Sequence, residues 1–103
     1  DNQSSNFEIT DDILYDIRER RLIAYVGNKP IIRIKDNVKS IGKNAFFCTD
    51  VTYIFLSNSI EFVDDTAFYW CSNLKIIYVP MGMELKFKKI LPNYVSDKIQ
   101  EIF

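Results

Sequence analysis

Apolar residues recur at a fixed spacing through the middle of this chain. Residues 32–46 (IRIKDNVKSIGKNAF) align with residues 54–68 (IFLSNSIEFVDDTAF) at a constant offset of 22, and each apolar position has an apolar counterpart. After Phe68 the second copy carries one extra residue, so that Ile54 aligns with Ile77 and Leu56 with Val79 at an offset of 23. A period of this length indicates stacked structural repeats.

Each repeat unit predicts the same short elements. Residues 51–56 alternate between two faces, as a strand does, and a Ser-Asn-Ser turn follows them. A second extended or turning stretch covers residues 60–63. One helical turn is predicted over residues 66–69, with the carboxylate of Asp64 or Asp65 capping its amides. Because a single unit cannot bury its own apolar face, the units must stack into a solenoid of the α/β class. The expected core consists of the repeated apolar positions Ile32, Ile34, Val38, Ile41, Phe46, Ile54, Leu56, Ile60, Val63, Phe68, Leu74, Ile77 and Val79.

The segments on either side of the repeats predict closing elements. Residues 13–15 and 22–26 read as two antiparallel strands, and Gly27-Asn28-Lys29-Pro30 reads as a turn. Residues 83–91 have apolar side chains at helical spacing, and Pro92 ends that helix. Residues 98–103 predict a short final strand. We therefore expect one domain over residues 1–103, with a hairpin cap over 1–29, repeats over 30–80 and a C-terminal cap over 81–103.

The motif Val38-x-x-Ile41-Gly42-x-x-Ala45-Phe46 and the later Cys71-x-x-Leu74 resemble the BspA-like leucine-rich repeat. The resemblance covers residues 30–80, and both flanks also look like that family. It implies a short right-handed leucine-rich-repeat solenoid, with parallel strands and short helical turns. It also implies secretion or display on the cell surface, adhesion, and contact with host proteins. Two features depart from the family pattern: Lys35 and Ser57 replace an expected proline, and Cys48 arrives one residue early.

Composition and charge exclude several classes of function. The chain has 103 residues, 13 basic and 14 acidic, with a formal net charge of −1, which argues against duplex DNA or an anionic membrane as partner. Histidine is absent, which excludes imidazole catalysis and histidine metal sites. No run approaches the roughly 20 apolar residues of a membrane helix. We expect no metal and no cofactor. The chain begins at Asp1, which fits either a piece of a longer protein or an arbitrary boundary.

The candidate site is the outward face of the predicted parallel sheet. Its expected members are the outward-pointing strand residues Arg33, Lys35, Tyr53, Phe55, Lys75, Ile76 and Tyr78. Exposed aromatic rings beside an arginine are typical of protein-binding surfaces. The alternative is that these side chains are cross-strand pairs that only cover the sheet, shielded by another part of a larger protein.

Three further features each allow a functional and a structural interpretation. Cys48 and Cys71 form either a disulfide between adjacent layers or two buried thiols, and we favour thiols. Trp70 is expected to pack against the protein. Asn2-Gln3-Ser4 matches the N-glycosylation pattern.

The function predicted from these features is a non-catalytic protein-interaction module of a secreted or cell-surface protein. A structural spacer is the alternative, and an enzyme with its site in a loop is a remote one. The pairs Asp11-Asp12 and Asp64-Asp65 are the only adjacent carboxylates, and neighbouring side chains diverge too much for joint acid–base work.

Overall fold

The computed structural model describes residues 6–102, and strands dominate this part of the chain. Asn2-Gln3-Ser4 and Phe103 lie outside the described residues. The elements in chain order are β1 (Phe7–Thr10), β2 (Ile13–Asp16), β3 (Arg21–Tyr25), β4 (Ile31–Arg33), β5 (Ser40–Ile41), β6 (Tyr53–Phe55), β7 (Phe62–Val63), β8 (Ile76–Pro80), helix α1 (Glu84–Ile90), a 3-10 turn (Ser96–Lys98) and β9 (Ile99–Ile102).

The strands form two sheets, and the successive repeat units contribute strands to both of them. The first sheet has the order β1-β2-β3-β5-β7, and the second has the order β4-β6-β8-β9. Strands β1, β2 and β3 pair antiparallel. Every other pairing is parallel, so each pass of the chain adds one strand to each sheet in turn.

The pairing register reproduces the sequence repeat. Ile32 pairs with Ile54, and Ile54 pairs with Ile77, which are the offsets of 22 and 23 found in the sequence. Short strands β5 and β7 pair Ile41 with Val63 in the same way. The α/β repeat architecture with parallel strands is therefore confirmed, with α1 as the one α-helix among residues 6–102.

The helical turn predicted after each second strand is instead a run of hydrogen-bonded turns. The amide of Phe46 donates to the carbonyl of Ala67 in the next unit (2.8 Å), and the amide of Cys48 donates to that of Tyr69 (3.1 Å). These amides bond between units, so they cannot also form the bonds of a helix. The prediction of one helical turn over residues 66–69 is wrong, because Tyr69 makes only a single turn bond to the carbonyl of Thr66 (3.1 Å) and the amide of Phe68 donates to Tyr94 (3.3 Å).

Aromatic rings stack through the core beside these turns. The rings of Phe46 and Phe68 lie 5.4 Å apart and nearly parallel, and Tyr25 lies 6.0 Å from Phe46. Phe68 has no later unit of the same kind above it. The hydroxyl of Tyr94 instead accepts its amide hydrogen (3.3 Å) and donates to the carbonyl of Asp65. Each residue predicted for the core is buried.

The segment before the repeats is a three-stranded antiparallel meander. The predicted pair β2 and β3 is present, with Ile13, Tyr15 and Leu22 buried. Strand β1 was not predicted. Its residues alternate between apolar and polar, but the apolar Phe7 and Ile9 are the exposed ones, so the strand adds no apolar face to the core. Asp11 and Asp12 form the tight turn between β1 and β2, both with positive φ (53° and 65°). Such a pair of left-handed residues matches the twist of a hairpin.

The segment after the repeats agrees with its prediction. Helix α1 buries Phe87, and Leu91 takes an extended conformation directly before Pro92, as expected when proline follows. The predicted final strand is β9, which pairs parallel with β8.

Asp64, predicted to cap the helical turn over residues 66–69, instead stabilises the turn through the residue two positions on. Its carboxylate accepts hydrogen bonds from the amide (3.0 Å) and the hydroxyl (2.8 Å) of Thr66. These two bonds are the largest causes that lower the pKa of Asp64 below its ordinary value of 3.8.

Replacement of two adjacent phenylalanines tests which residues of the turn after β5 face the core. Phe46 is fully buried, whereas Phe47 is 45% exposed. We expect Phe46→Ala to lower the free energy of unfolding by about 3–5 kcal/mol, and Phe47→Ala by less than about 1 kcal/mol. Urea denaturation of both variants measures the difference. Equal losses would mean that the buried and exposed faces of this turn are wrongly assigned.

Acid unfolding tests the Asp64 bonds. Because the folded-state pKa is lowered, their contribution is present above the ordinary pKa and is lost as the pH falls through the folded value. Asp64→Asn keeps an acceptor but cannot be protonated. We expect the gap in melting temperature between wild type and variant to narrow between about pH 5 and about pH 3. A gap that stays constant over this range would show that the carboxylate charge contributes nothing.

Candidate interaction surface

The outer face of the second sheet carries a continuous stack of aromatic side chains. The guanidinium of Arg33 lies 4.1 Å from the centre of the Phe55 ring, and Phe55 stacks on Tyr78 at 4.6 Å with 17° between the planes. Tyr53 lies 6.3 Å from Tyr78 on the same face. We call the side chains of Arg33, Tyr53, Phe55 and Tyr78 the aromatic ladder.

Strand register places the members of the aromatic ladder side by side. Arg33, Phe55 and Tyr78 are paired across β4, β6 and β8, and Gln100 of β9 continues the row. Neighbouring strands lie about 4.8 Å apart, which is close to the stacking distance of aromatic rings. The same register that buries Ile54 and Ile77 therefore brings these rings into contact.

The polar groups of the aromatic ladder have no partners among residues 6–102. No carboxylate of this part of the chain lies within 4.0 Å of the Arg33 guanidinium. The hydroxyls of Tyr53 and Tyr78 form no hydrogen bond within residues 6–102. The hydroxyls of Tyr15, Tyr25 and Tyr94 each form at least one. The surface thus presents a guanidinium and two phenol hydroxyls between stacked rings.

The other residues predicted for this face lie around the aromatic ladder. The ammonium of Lys35 forms an ion pair with Glu8 of β1 (3.1 Å) and lies 4.6 Å from the Tyr15 ring, so it faces the meander. A hydrogen bond from Thr10, and then the bond from Lys35, lower the pKa of Glu8. Lys75 is exposed directly before β8, and Ile76 is half-buried in register with Tyr53.

A groove of about 500 Å³ adjoins the aromatic ladder. Arg33, Phe55 and Ile102 contribute to its lining, and Asp11 and Asp36 add negative charge. The groove is open to solvent and contains no cluster of buried titratable groups.

A second exposed aromatic patch was not predicted. It lies at the turns that follow the buried phenylalanines and consists of Phe47, Tyr69, Trp70 and Tyr94, with Tyr69 and Tyr94 rings 5.4 Å apart. Trp70 is 75% exposed, so the expectation that it packs against the protein is wrong. Its φ of 62° turns the chain at this point. Cys48, the equivalent of Trp70 at the offset of 22, has a similar φ of 58°, but the sequence alone gave no signal of this conformation.

The two cysteines are free thiols, so the disulfide alternative is wrong. Cys71 is half-buried, and its Sγ donates to the carbonyl of Phe46 (2.9 Å) and contacts Oγ1 of Thr49 (3.7 Å). Burial raises the pKa of the Cys71 thiol. Cys48 is exposed, contrary to the prediction of two buried thiols. Thr49, not Cys48, occupies the position equivalent to Cys71.

The remaining candidates for chemistry have structural roles. Asp11 and Asp12 form the β1–β2 turn, and Asp64 bonds to Thr66. Among residues 6–102, no group of three or more metal-binding side chains converges. Within the same range, the helices are too short or too polar to cross a membrane.

Comparison with known families agrees with the repeat geometry. A family model described as a BspA type leucine rich repeat region (6 copies) matches residues 5–97. The chain therefore belongs to the BspA-type leucine-rich repeat family. No curated protein and no solved structure matches the chain.

Membership in this family supports a coarse functional class. The family is one of repeat modules suited to protein interaction, and its members are generally not enzymes. They are typically associated with cell surfaces.

Because Trp70 is exposed and has a positive φ, its replacement is expected to stabilise the protein. A residue other than glycine in the left-handed region costs about 1–2 kcal/mol, and asparagine tolerates that region better than tryptophan. Because the indole buries little surface, we expect Trp70→Asn to raise the free energy of unfolding by about 0.5–1 kcal/mol, measured by urea denaturation.

Tyr69→Asn is the matched control for this prediction. Tyr69 lies outside the positive-φ region and its ring packs on Tyr94, so its replacement should destabilise the protein. A loss of stability in Trp70→Asn as large as that in Tyr69→Asn would mean that the indole packs after all.

Proposed function

We propose that this chain is a non-catalytic protein-interaction module that binds a partner protein through the aromatic ladder. In this proposal the repeats over residues 30–80 form a short right-handed solenoid. The hairpin segment over 1–29 and the helical segment over 81–103 close its two ends. The parent protein is secreted or displayed on a cell surface, and a host extracellular protein is its candidate partner.

The observation that carries the proposal is the aromatic ladder, whose polar groups have no partner within residues 6–102. Arginine and tyrosine are enriched among residues that dominate binding energy, and both occur here in contact with further rings. Their cross-strand stacking fixes the side chains before a partner arrives, which reduces the conformational entropy lost on binding. Repeat proteins also present such continuous faces as contact surfaces.

A structural spacer is the second candidate. One observation favours it: Tyr53, Phe55 and Tyr78 are half-buried by their mutual packing, as expected for rings that only cover a sheet. The two functions differ in whether removal of the rings abolishes binding.

Binding to an array of extracellular-matrix and serum proteins tests the proposal. We expect wild type to bind at least one of them, and the triple variant Tyr53→Ala/Phe55→Ala/Tyr78→Ala to bind it at least about tenfold more weakly, as for loss of dominant contact residues. Surface plasmon resonance measures the affinities, and circular dichroism establishes that the variants are folded.

The second aromatic patch offers a matched control. Phe47→Ala/Tyr69→Ala/Trp70→Ala also removes three exposed rings, and we expect it to retain wild-type affinity. Retained binding by the ladder variant, or loss only in the control, would contradict the assignment to the aromatic ladder. Absence of binding by the wild-type protein would favour the spacer.

A further inference from the structure

The polar groups of the aromatic ladder, unpaired within the part of the chain that the structure describes, indicate the chemistry of its partner. A guanidinium donates hydrogen bonds and accepts none, and a phenol hydroxyl can always donate. Lys75, at the same face, is exposed and forms no ion pair among residues 6–102. We propose that the aromatic ladder binds an acidic segment of its partner protein, with an aspartate or glutamate carboxylate on the guanidinium of Arg33. This inference rests on the proposed function and specifies the partner of the same surface.

Arg33 is arranged to receive a carboxylate. Its guanidinium lies 4.1 Å from the Phe55 ring centre, where the attraction between cation and ring holds it in place. A guanidinium stacked on a ring keeps its N–H groups at its edge, and two of them match the two oxygens of a carboxylate. This contact restricts the exposed side chain and so reduces the rotamer entropy that is lost on binding.

The surrounding charges restrict where the carboxylate lies. Lys35 is already paired with Glu8, and Asp11 and Asp36 line the groove next to Arg33. These two carboxylates repel an anion placed inside the groove. The acidic group of the partner therefore lies outside the groove, at the free edge of the Arg33 guanidinium and away from the negative faces of the rings, while the groove accepts an uncharged side chain between Phe55 and Ile102.

An acidic peptide suits this surface better than a polyanion. Nucleic acids need many cations in a row to neutralise successive phosphates. This face offers two cations, Arg33 and Lys75, without an ion-pair partner among residues 6–102, and the whole chain has a net charge of −1. The rings between these cations contribute apolar area that a peptide can cover with its own side chains.

Selection from a random-peptide phage library on the immobilised wild-type protein tests the inference. We expect the selected peptides to share an aspartate or glutamate beside an aromatic or aliphatic residue. Fluorescence polarisation then gives the affinity of one labelled peptide. Replacing its acidic residue by the amide, or Arg33 by glutamine (Arg33→Gln), should each weaken binding roughly tenfold or more. The two changes together should weaken it little further, because they remove the same contact.

Two further variants control for charge and geometry. Arg18→Gln removes an exposed charge from the turn between β2 and β3 and should leave the affinity unchanged. Arg33→Lys keeps the charge without the paired N–H groups, and we expect an affinity between those of wild type and Arg33→Gln. Thermal melts followed by circular dichroism show whether each variant is folded.

The outcomes separate this inference from the proposed function. A peptide that binds the wild type, is lost in the Tyr53/Phe55/Tyr78 variant and tolerates replacement of its acidic residues overturns the inference alone. If no peptide is selected, or if binding survives in that triple variant, the inference is overturned, while the array experiment still decides the proposed function.

Discussion

Parallel pairing in a fixed register is the constraint on which the rest of this structure depends. Each unit must bring its strand into the same pairing register as the strand before it, because a slip of one residue would exchange the buried and exposed faces. Strands β4, β6 and β8 satisfy this with offsets of 22 and then 23 residues. Thr49 is still equivalent to Cys71 at an offset of 22, whereas Val51 is equivalent to Leu74. The extra residue is therefore absorbed in the loop between Cys71 and Leu74, where no strand has to accommodate it.

The same constraint determines what the outer face can display. When Ile32, Ile54 and Ile77 are stacked inside, the residues that follow them are stacked outside, whatever their chemistry. The register alone places positions 33, 55 and 78 in a row. Because these positions hold Arg33, Phe55 and Tyr78, the row is a stack of two contacting rings and a guanidinium. Between the turns that follow β5 and β7, backbone amides also donate to carbonyls of the next unit, as Phe46 does to Ala67. Where the units end, the hydroxyl of Tyr94 accepts the hydrogen bond that a further carbonyl would otherwise take.

The sequence predicted those parts of the fold that depend on buried apolar residues at a repeated spacing. Strands β4, β6 and β8, the pair β2–β3, and the helix that stops before Pro92 follow from such signals. Strand β1 did not, because it is held mainly by backbone hydrogen bonds and its side chains are largely outside the core. The exposure of Trp70 depends on a left-handed backbone conformation, which hydrophobic periodicity does not report. The residues of the candidate surface could be predicted from the alternation of side chains along the strands. The ion pair between Lys35 and Glu8 could not be predicted, since Glu8 lies on β1, which was not predicted.

The orientation of the inter-unit hydrogen bonds has a mechanical consequence. In both sheets these bonds run from each strand to its neighbour, so they lie along the direction in which the units succeed one another. Tension applied between β1 and β9 acts along the bonds and opens them a few at a time, rather than sliding whole strands past one another. Strands as short as β5 and β7 resist such peeling with few bonds. A module built in this way extends stepwise under load, and each step that separates β4, β6 and β8 also takes the aromatic ladder apart.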